Sequence, residues 1–120
     1  MGLRPLEIVI DCTDHDVLER FWTAALGWES RRLNEQYVAI IPPDRSQMAI
    51  LLQKVPEPKV GKNRVHVDFA AEDMAVEVER LTALGATWIA ERQLFGPPGW
   101  TVMADPEGNE FCVAGRPTGD

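Results

Sequence analysis

Arg64, His66 and Asp68 alternate with apolar residues in the run Arg64-Val65-His66-Val67-Asp68-Phe69-Ala70. In a β-strand successive side chains point to opposite faces, so the three polar residues share one face and Val65, Val67 and Phe69 take the other. A histidine two residues from an aspartate suits proton transfer: the carboxylate orients the imidazole, and the imidazole gives or takes the proton. The same pair equally suits a hydrogen-bonded polar cavity without chemistry. Cys112 and Glu110 lie two residues apart, on one face of a later strand. Cys112 reads as a metal ligand, a reactive thiol, or a small buried hydrophobe, the commonest state of a free cysteine. Glu7 opens the first strand as an acid–base group or as a solvated residue.

Aromatic and basic residues supply the rest of a candidate site. Phe95 and Trp100 flank Gly96-Pro97-Pro98-Gly99. They read as the walls of a pocket for a flat hydrophobic ligand, or as strand-edge aromatics packed on a partner subunit. Lys54, Lys59, Lys62 and Arg64 make a locally basic stretch that draws an anionic substrate or forms a solvated linker. The carboxylates of Asp105-Pro106-Glu107-Gly108-Asn109 look catalytic, but turn chemistry accounts for them. The sequence holds no glycine-rich phosphate loop, nucleophile elbow or paired-cysteine zinc signature.

These residues need elements to hold them. Residues 6–12 are β-branched and form a strand. Over 14–26, Val17, Leu18, Phe21, Trp22, Ala25 and Leu26 make one apolar helical stripe. Thr13 with Asp16 forms a capping box, with Asp14 as the alternative cap, and Gly27 takes the left-handed position after the helix. Strands follow at 28–33, 36–41 and 48–55. Pro56–Asn63 is a linker rich in proline and lysine. The order then repeats: strand 64–70, a helix from Asp73 to Leu84 closed by Gly85, and strands at 86–91, 99–104 and 110–114. Asp68 follows Asp11 by 57 residues, Asp73 follows Asp16 by 57, and Gly85 follows Gly27 by 58. A fixed offset near half the chain is the mark of a duplicated unit. The expected fold is α+β: two strand–helix–strand–strand–strand modules (about 5–55 and 64–115) in one domain of 120 residues, their sheets side by side as a cup. Each module is too small for its own pocket, so the site is expected between modules or across a dimer.

Composition bounds the function. Apolar residues are 45% and charged residues 26%, ordinary globular values. A net charge of −7 disfavours nucleic acid as the main partner. Residues 1–60 hold 9 acids and 7 bases, and residues 61–120 hold 10 acids and 5 bases, so the second half carries most of that charge. Two cysteines and no secretory h-region after Met1-Gly2-Leu3-Arg4-Pro5 point to a cytoplasmic protein, and no apolar run reaches membrane-spanning length. Cys12 and Cys112 fall on opposite sheet faces, so no disulfide is expected between them.

The element order, with Phe21-Trp22…Leu26-Gly27-Trp28 and Asp105-Pro106-Glu107-Gly108-Asn109-Glu110-Phe111, resembles the vicinal oxygen chelate superfamily of glyoxalase I, extradiol dioxygenases and bleomycin-resistance proteins. Lys62-Asn63-Arg64-Val65-His66-Val67-Asp68 and Leu84-Gly85-Ala86 look most like its small glyoxalase-like branch. The resemblance implies a homodimer with a small-molecule ligand, and metal ligands on the first and fourth strands of each module. Carried over, those ligand positions fall on His66, Cys112 (where the family usually has Glu), Gln53 and Glu7. The 57-residue offset instead points to Val9, which binds no metal, and Glu110 is the substitute for Cys112. Glu, Gln and His suit Mn, Fe, Ni or Zn, and a cysteine shifts the preference toward Zn or Cu. The incomplete set weights the expectation toward no ion, with one divalent ion as the alternative. Three functions follow: a lyase- or isomerase-type enzyme for a small carbonyl or aromatic metabolite, with His66, Glu7 and Asp68 catalytic and Trp100, Phe95, Arg64, Gln53 and Glu110 binding ligand; a metal-free sequestering protein; and a dimeric scaffold without ligand.

Overall fold

The structure, a computed structural model, describes residues 2–94 and 96–115. The chain divides into two compact units, the first ending at Lys59 and the second starting at Val60. The first contains β1 (Glu7–Cys12), α1 (His15–Leu26), β2 (Glu29–Arg32), β3 (Tyr37–Ile41) and β4 (Ala49–Lys54). The second contains β5 (Val67–Ala71), α2 (Met74–Leu84), β6 (Thr87–Arg92), β7 (Trp100–Ala104) and β8 (Glu110–Gly115). Each sheet has the same order, β1-β4-β3-β2 and β5-β8-β7-β6. The first and last strands of each unit pair in parallel and the other pairs are antiparallel. The expected α+β fold of two βαβββ units is therefore present.

Local chemistry sets the helix ends. Asp14, not Thr13, caps α1: its backbone is extended, and its carboxylate accepts from the N–H groups of Asp16 and Val17 at 3.0 and 3.3 Å. Gly27 ends the helix at φ 68°, where a side chain would be strained. Asp73 caps α2 by accepting from Val76 N–H at 3.1 Å. The strand read over 64–70 begins at Val67, opposite Phe111 of β8, and runs to Ala71; in that register Arg64 and Val65 fall beyond the start of β8 at Glu110.

Each helix covers one face of its own sheet. In the first unit Leu18, Phe21 and Trp22 of α1 are buried with Val38, Ile40, Ile50, Leu52 and Cys12. The Phe21 and Trp22 rings meet edge to face at 5.0 Å. In the second unit Leu81 of α2 is buried, as are Met103, Phe111 and Val113, and Phe69 meets Phe111 edge to face at 5.9 Å. Burying a side chain such as Leu52 is worth about 1.5–3 kcal/mol, which anchors the strands firmly enough to hold the opposite face in register. Both cysteines are free and buried. No helix among the described residues is long and apolar enough to cross a membrane.

Candidate functional site

The helix-free face of the second unit follows from the register. Asp68 lies opposite Cys112 on β8, and Val102 of β7 lies opposite Cys112 on its other side. His66 precedes β5 by one residue and is on the Asp68 face. Its Nε2 is 3.3 Å from the Asp68 carboxylate. One donor atom from each of His66, Asp68 and Cys112 lies within 4.8 Å of the others. His66 and Asp68 have side chains 45% and 63% exposed, while Cys112 is 1% exposed. The cluster therefore has one buried member and two exposed ones.

The thiol is silenced by its surroundings. Burial first, then the Asp68 charge with its hydrogen bond and the charge of Glu110, against the opposing charge of Lys62, together push the Cys112 thiol up to about 11. Free of any ion, Cys112 is a protonated thiol at neutral pH, so it is not a standing nucleophile. Glu110 is two residues away on the same face. Lys62 Nζ donates to its Oε1 at 2.6 Å, and Asn63 Nδ2 donates to its backbone carbonyl at 3.4 Å. The end of the Pro56–Asn63 segment thus docks on β8 instead of running free through solvent. Arg64 is exposed. Trp100 is half-buried at the start of β7, opposite Ala114, and Phe95 lies outside the described residues.

The first unit contributes differently. Glu7 pairs with Ala49, whereas Gln53 pairs with Asp11. Four residues of strand separate Glu7 from Asp11, about 13 Å at roughly 3.3 Å per residue. Glu7 and Gln53 therefore stand at opposite ends of the β1–β4 ladder. The position matching His66 is Val9, which faces Leu51; both are apolar. The first unit's helix-free face thus offers Asp11 beside Gln53 where the second offers Asp68 beside Cys112. Sequence reasoning passed over Asp11, Val102 and the Lys62–Glu110 pair. The 57-residue offset marks Asp11, and strand alternation from Trp100 marks Val102. The turn of Asn34, Glu35 and Gln36 with Lys54 borders a separate concavity of about 510 Å³. Asn34 Oδ1 there accepts from the N–H groups of Gln36 and Tyr37 and is consumed by the turn itself.

The donor set of the second unit fits a divalent ion. An imidazole nitrogen, a carboxylate oxygen and a sulfur are three ligands of the kinds zinc takes, and three protein ligands leave a position open for substrate or water.

Known proteins place this fold. The model of the glyoxalase-like domain family matches residues 7–114. A variant of the genomically encoded fosfomycin resistance protein FosX from Listeria monocytogenes, in complex with Mn(II) and 1S,2S-dihydroxypropylphosphonic acid, is 16% identical over 98% of this chain and 94% of that one, with a TM-score of 0.80. A glyoxalase/bleomycin resistance protein from Albidiferax ferrireducens is 21% identical over 92% and 97%, with a TM-score of 0.68. A glyoxalase-related enzyme from Fulvimarina pelagi is 16% identical over 95% and 88%, with a TM-score of 0.72. No curated protein matches the chain. At these identities the structural likeness carries the fold alone. The family match spans nearly the whole chain, and with the twin βαβββ units it shows that the chain belongs to the glyoxalase-like domain family of the vicinal oxygen chelate superfamily.

Proposed function

We propose that the chain is an enzyme of lyase or isomerase type that acts on a small carbonyl compound at the helix-free face of its second unit. The observation that supports this most is the meeting of His66, Asp68 and Cys112 within 4.8 Å on a face they share with Ala70, Val102, Ala114 and Glu110. Asp68 holds the His66 ring, and a ring N–H donates to the substrate carbonyl oxygen, favouring the negative charge that develops there. Glu110, two residues along the same face and tethered by Lys62, takes the proton from the adjacent carbon. Val102 and Trp100 supply apolar surface for the rest of the molecule. A divalent ion held by His66, Asp68 and Cys112 would supply Lewis-acid polarisation of the same oxygen. The reading keeps the protein as a small-molecule binder in a dimer, acting in the cytoplasm.

The test is proton exchange in heavy water. Glycolaldehyde and lactaldehyde are incubated with the protein, and loss of the signal from the carbon next to the carbonyl is followed by proton NMR. Wild type is expected to exchange it, and Glu110→Gln to slow exchange by about 100-fold or more, the usual scale of a general base. Exchange by Glu110→Gln at the wild-type rate would remove Glu110 from the reaction. The apolar pair Val9 and Leu51 favours a second reading, metal-free sequestration of a flat aromatic compound. Tight quenching of tryptophan fluorescence by acridine, with no exchange in the first assay, selects that reading and overturns the enzyme.

A further inference from the structure

We infer that Asn63 is the positioning residue of this face: its side-chain amide, and not the strand ladder, sets where the His66 ring stands. The inference rests on the reading of this face as the functional one, and it names the group that aims His66 there. The two units differ at this point. Counting back from the matching pairs Asp11–Gln53 and Asp68–Cys112, the residue that corresponds to His66 is Val9. Val9 lies inside the β1–β4 ladder, paired with Leu51, and that ladder runs two residues further back to Glu7. The β5–β8 ladder stops short, with Val67 and Phe111 as its first pair. His66 is therefore the first residue that this ladder does not hold. The chain bends at Arg64 and Val65, and both are exposed, so burial does not anchor the bend either.

Asn63 takes over where the ladder ends. Its Nδ2 donates to the Val65 carbonyl at 3.3 Å and to the Glu110 carbonyl at 3.4 Å. Glu110 is the residue that His66 would face if the register ran one pair further. An amide nitrogen carries two hydrogens, so these two bonds spend both. The first shapes the bend immediately ahead of His66, as side-chain bonds to neighbouring backbone do. The second ties that bend to β8. Lys62, the preceding residue, donates to the Glu110 carboxylate at 2.6 Å and holds the same strand end. His66 is thereby delivered beside Asp68 and Cys112, with its Nε2 3.3 Å from the Asp68 carboxylate. A ring aimed by two neutral hydrogen bonds shifts when they are lost, and a shift of about 1 Å can cost about 100-fold in rate. Asn63 touches no reacting atom in this scheme; it acts through His66.

The experiment uses the full chain with Asn63→Ala, which removes both donors and adds no charge, and with His66→Gln, singly and together. Two quantities are measured. One is the NMR cross-peak between the His66 ring and the Cys112 β protons, with the Phe69–Phe111 ring contact as the control for the fold. The other is proton exchange on glycolaldehyde. Wild type is expected to show the His66–Cys112 cross-peak, and Asn63→Ala to lose it while the Phe69–Phe111 contact stays. In the exchange assay Asn63→Ala should lower kcat by about 100-fold with KM within about threefold. It should lower kcat no further in the His66→Gln background, because both changes act through one ring. A cross-peak absent from wild type or kept in Asn63→Ala overturns the inference, as do losses that add in the double variant. Loss of the Phe69–Phe111 contact overturns it too, since Asn63 would then support the whole unit and not the histidine. Exchange by Asn63→Ala at the wild-type rate removes the positioning role and leaves the proposed activity standing. No exchange by wild type, with the cross-peak lost in Asn63→Ala, does the reverse.

Discussion

Replacing Asp105 with alanine should unfold the turn that delivers β8 to the site. Asp105 is 2% exposed, and its carboxylate is fully committed. Oδ1 accepts from Glu107 N–H at 2.9 Å and from Asn109 N–H at 3.0 Å, and the Asn109 amide donates to both oxygens at 3.2 and 3.0 Å. Hydrogen bonds to a charged acceptor contribute about 1.5–3 kcal/mol each, and they are not additive when they share one carboxylate. Counting the two backbone bonds at the low end gives about 3 kcal/mol for Asp105→Ala, a large share of the roughly 5–15 kcal/mol that holds a domain together. With a urea m-value of about 2 kcal/mol/M, the midpoint falls by about 1.5 M. Far-ultraviolet circular dichroism against urea measures it, with Asp105→Asn, which keeps one acceptor oxygen, expected to lose less. A loss below about 1 kcal/mol would mean that water takes the place of the carboxylate, and that β7 and β8 alone determine the turn.

Two further outcomes follow from residues around the same strands. The folded Cys112 thiol sits near 11, against 9.0 for its ordinary value; it is buried beside Asp68 and Glu110, with Lys62 opposing them. Ion-free protein keeps the full contribution of this neutral thiol below about pH 9 and loses it as pH rises toward 11, where the unfolded chain has shed the proton and the folded chain has not. The loss approaches about 3 kcal/mol, and urea unfolding at pH 8 and pH 10.5 should show a steeper fall in wild type than in Cys112→Ala; parallel falls refute it. Gly99→Ala should destabilise by about 3 kcal/mol or more, since Gly99 has φ +68° and a Cβ there would collide with the Arg92 carbonyl oxygen; a thermal midpoint within a degree of wild type would refute the contact.

Most of the fold was legible because its elements obey two periods. The apolar stripe of α1 is complete within its own twelve residues, and the internal offset predicts the second unit from the first. Site faces were legible for the same reason: alternation alone puts His66, Asp68, Glu110 and Cys112 on one side. What alternation does not carry is register along a strand. Glu7 shares a face with Asp11, yet only the pairing of Glu7 with Ala49 and of Asp11 with Gln53 shows that Glu7 stands at the far end. Strand ends were misplaced where pairing, not residue type, decides them, as at Arg64 and Val65. The capping residue of α1 was a choice between two neighbours that both bear side-chain oxygens. The extended backbone of Asp14 decided it.

The parallel pairing of first and last strands in each unit also sets an order in time. β5 finds its partner only in β8, so the strand after His66 waits through a helix and two strands before it is held. Closing so long an intervening chain is the slow part of building such a unit. A chain stopped or cut anywhere between Asp68 and Glu110 still carries the histidine and the aspartate but has lost the cysteine's strand. The cluster of His66, Asp68 and Cys112 is thus assembled only once the unit is finished, and a half-made copy displays two of its members without the third.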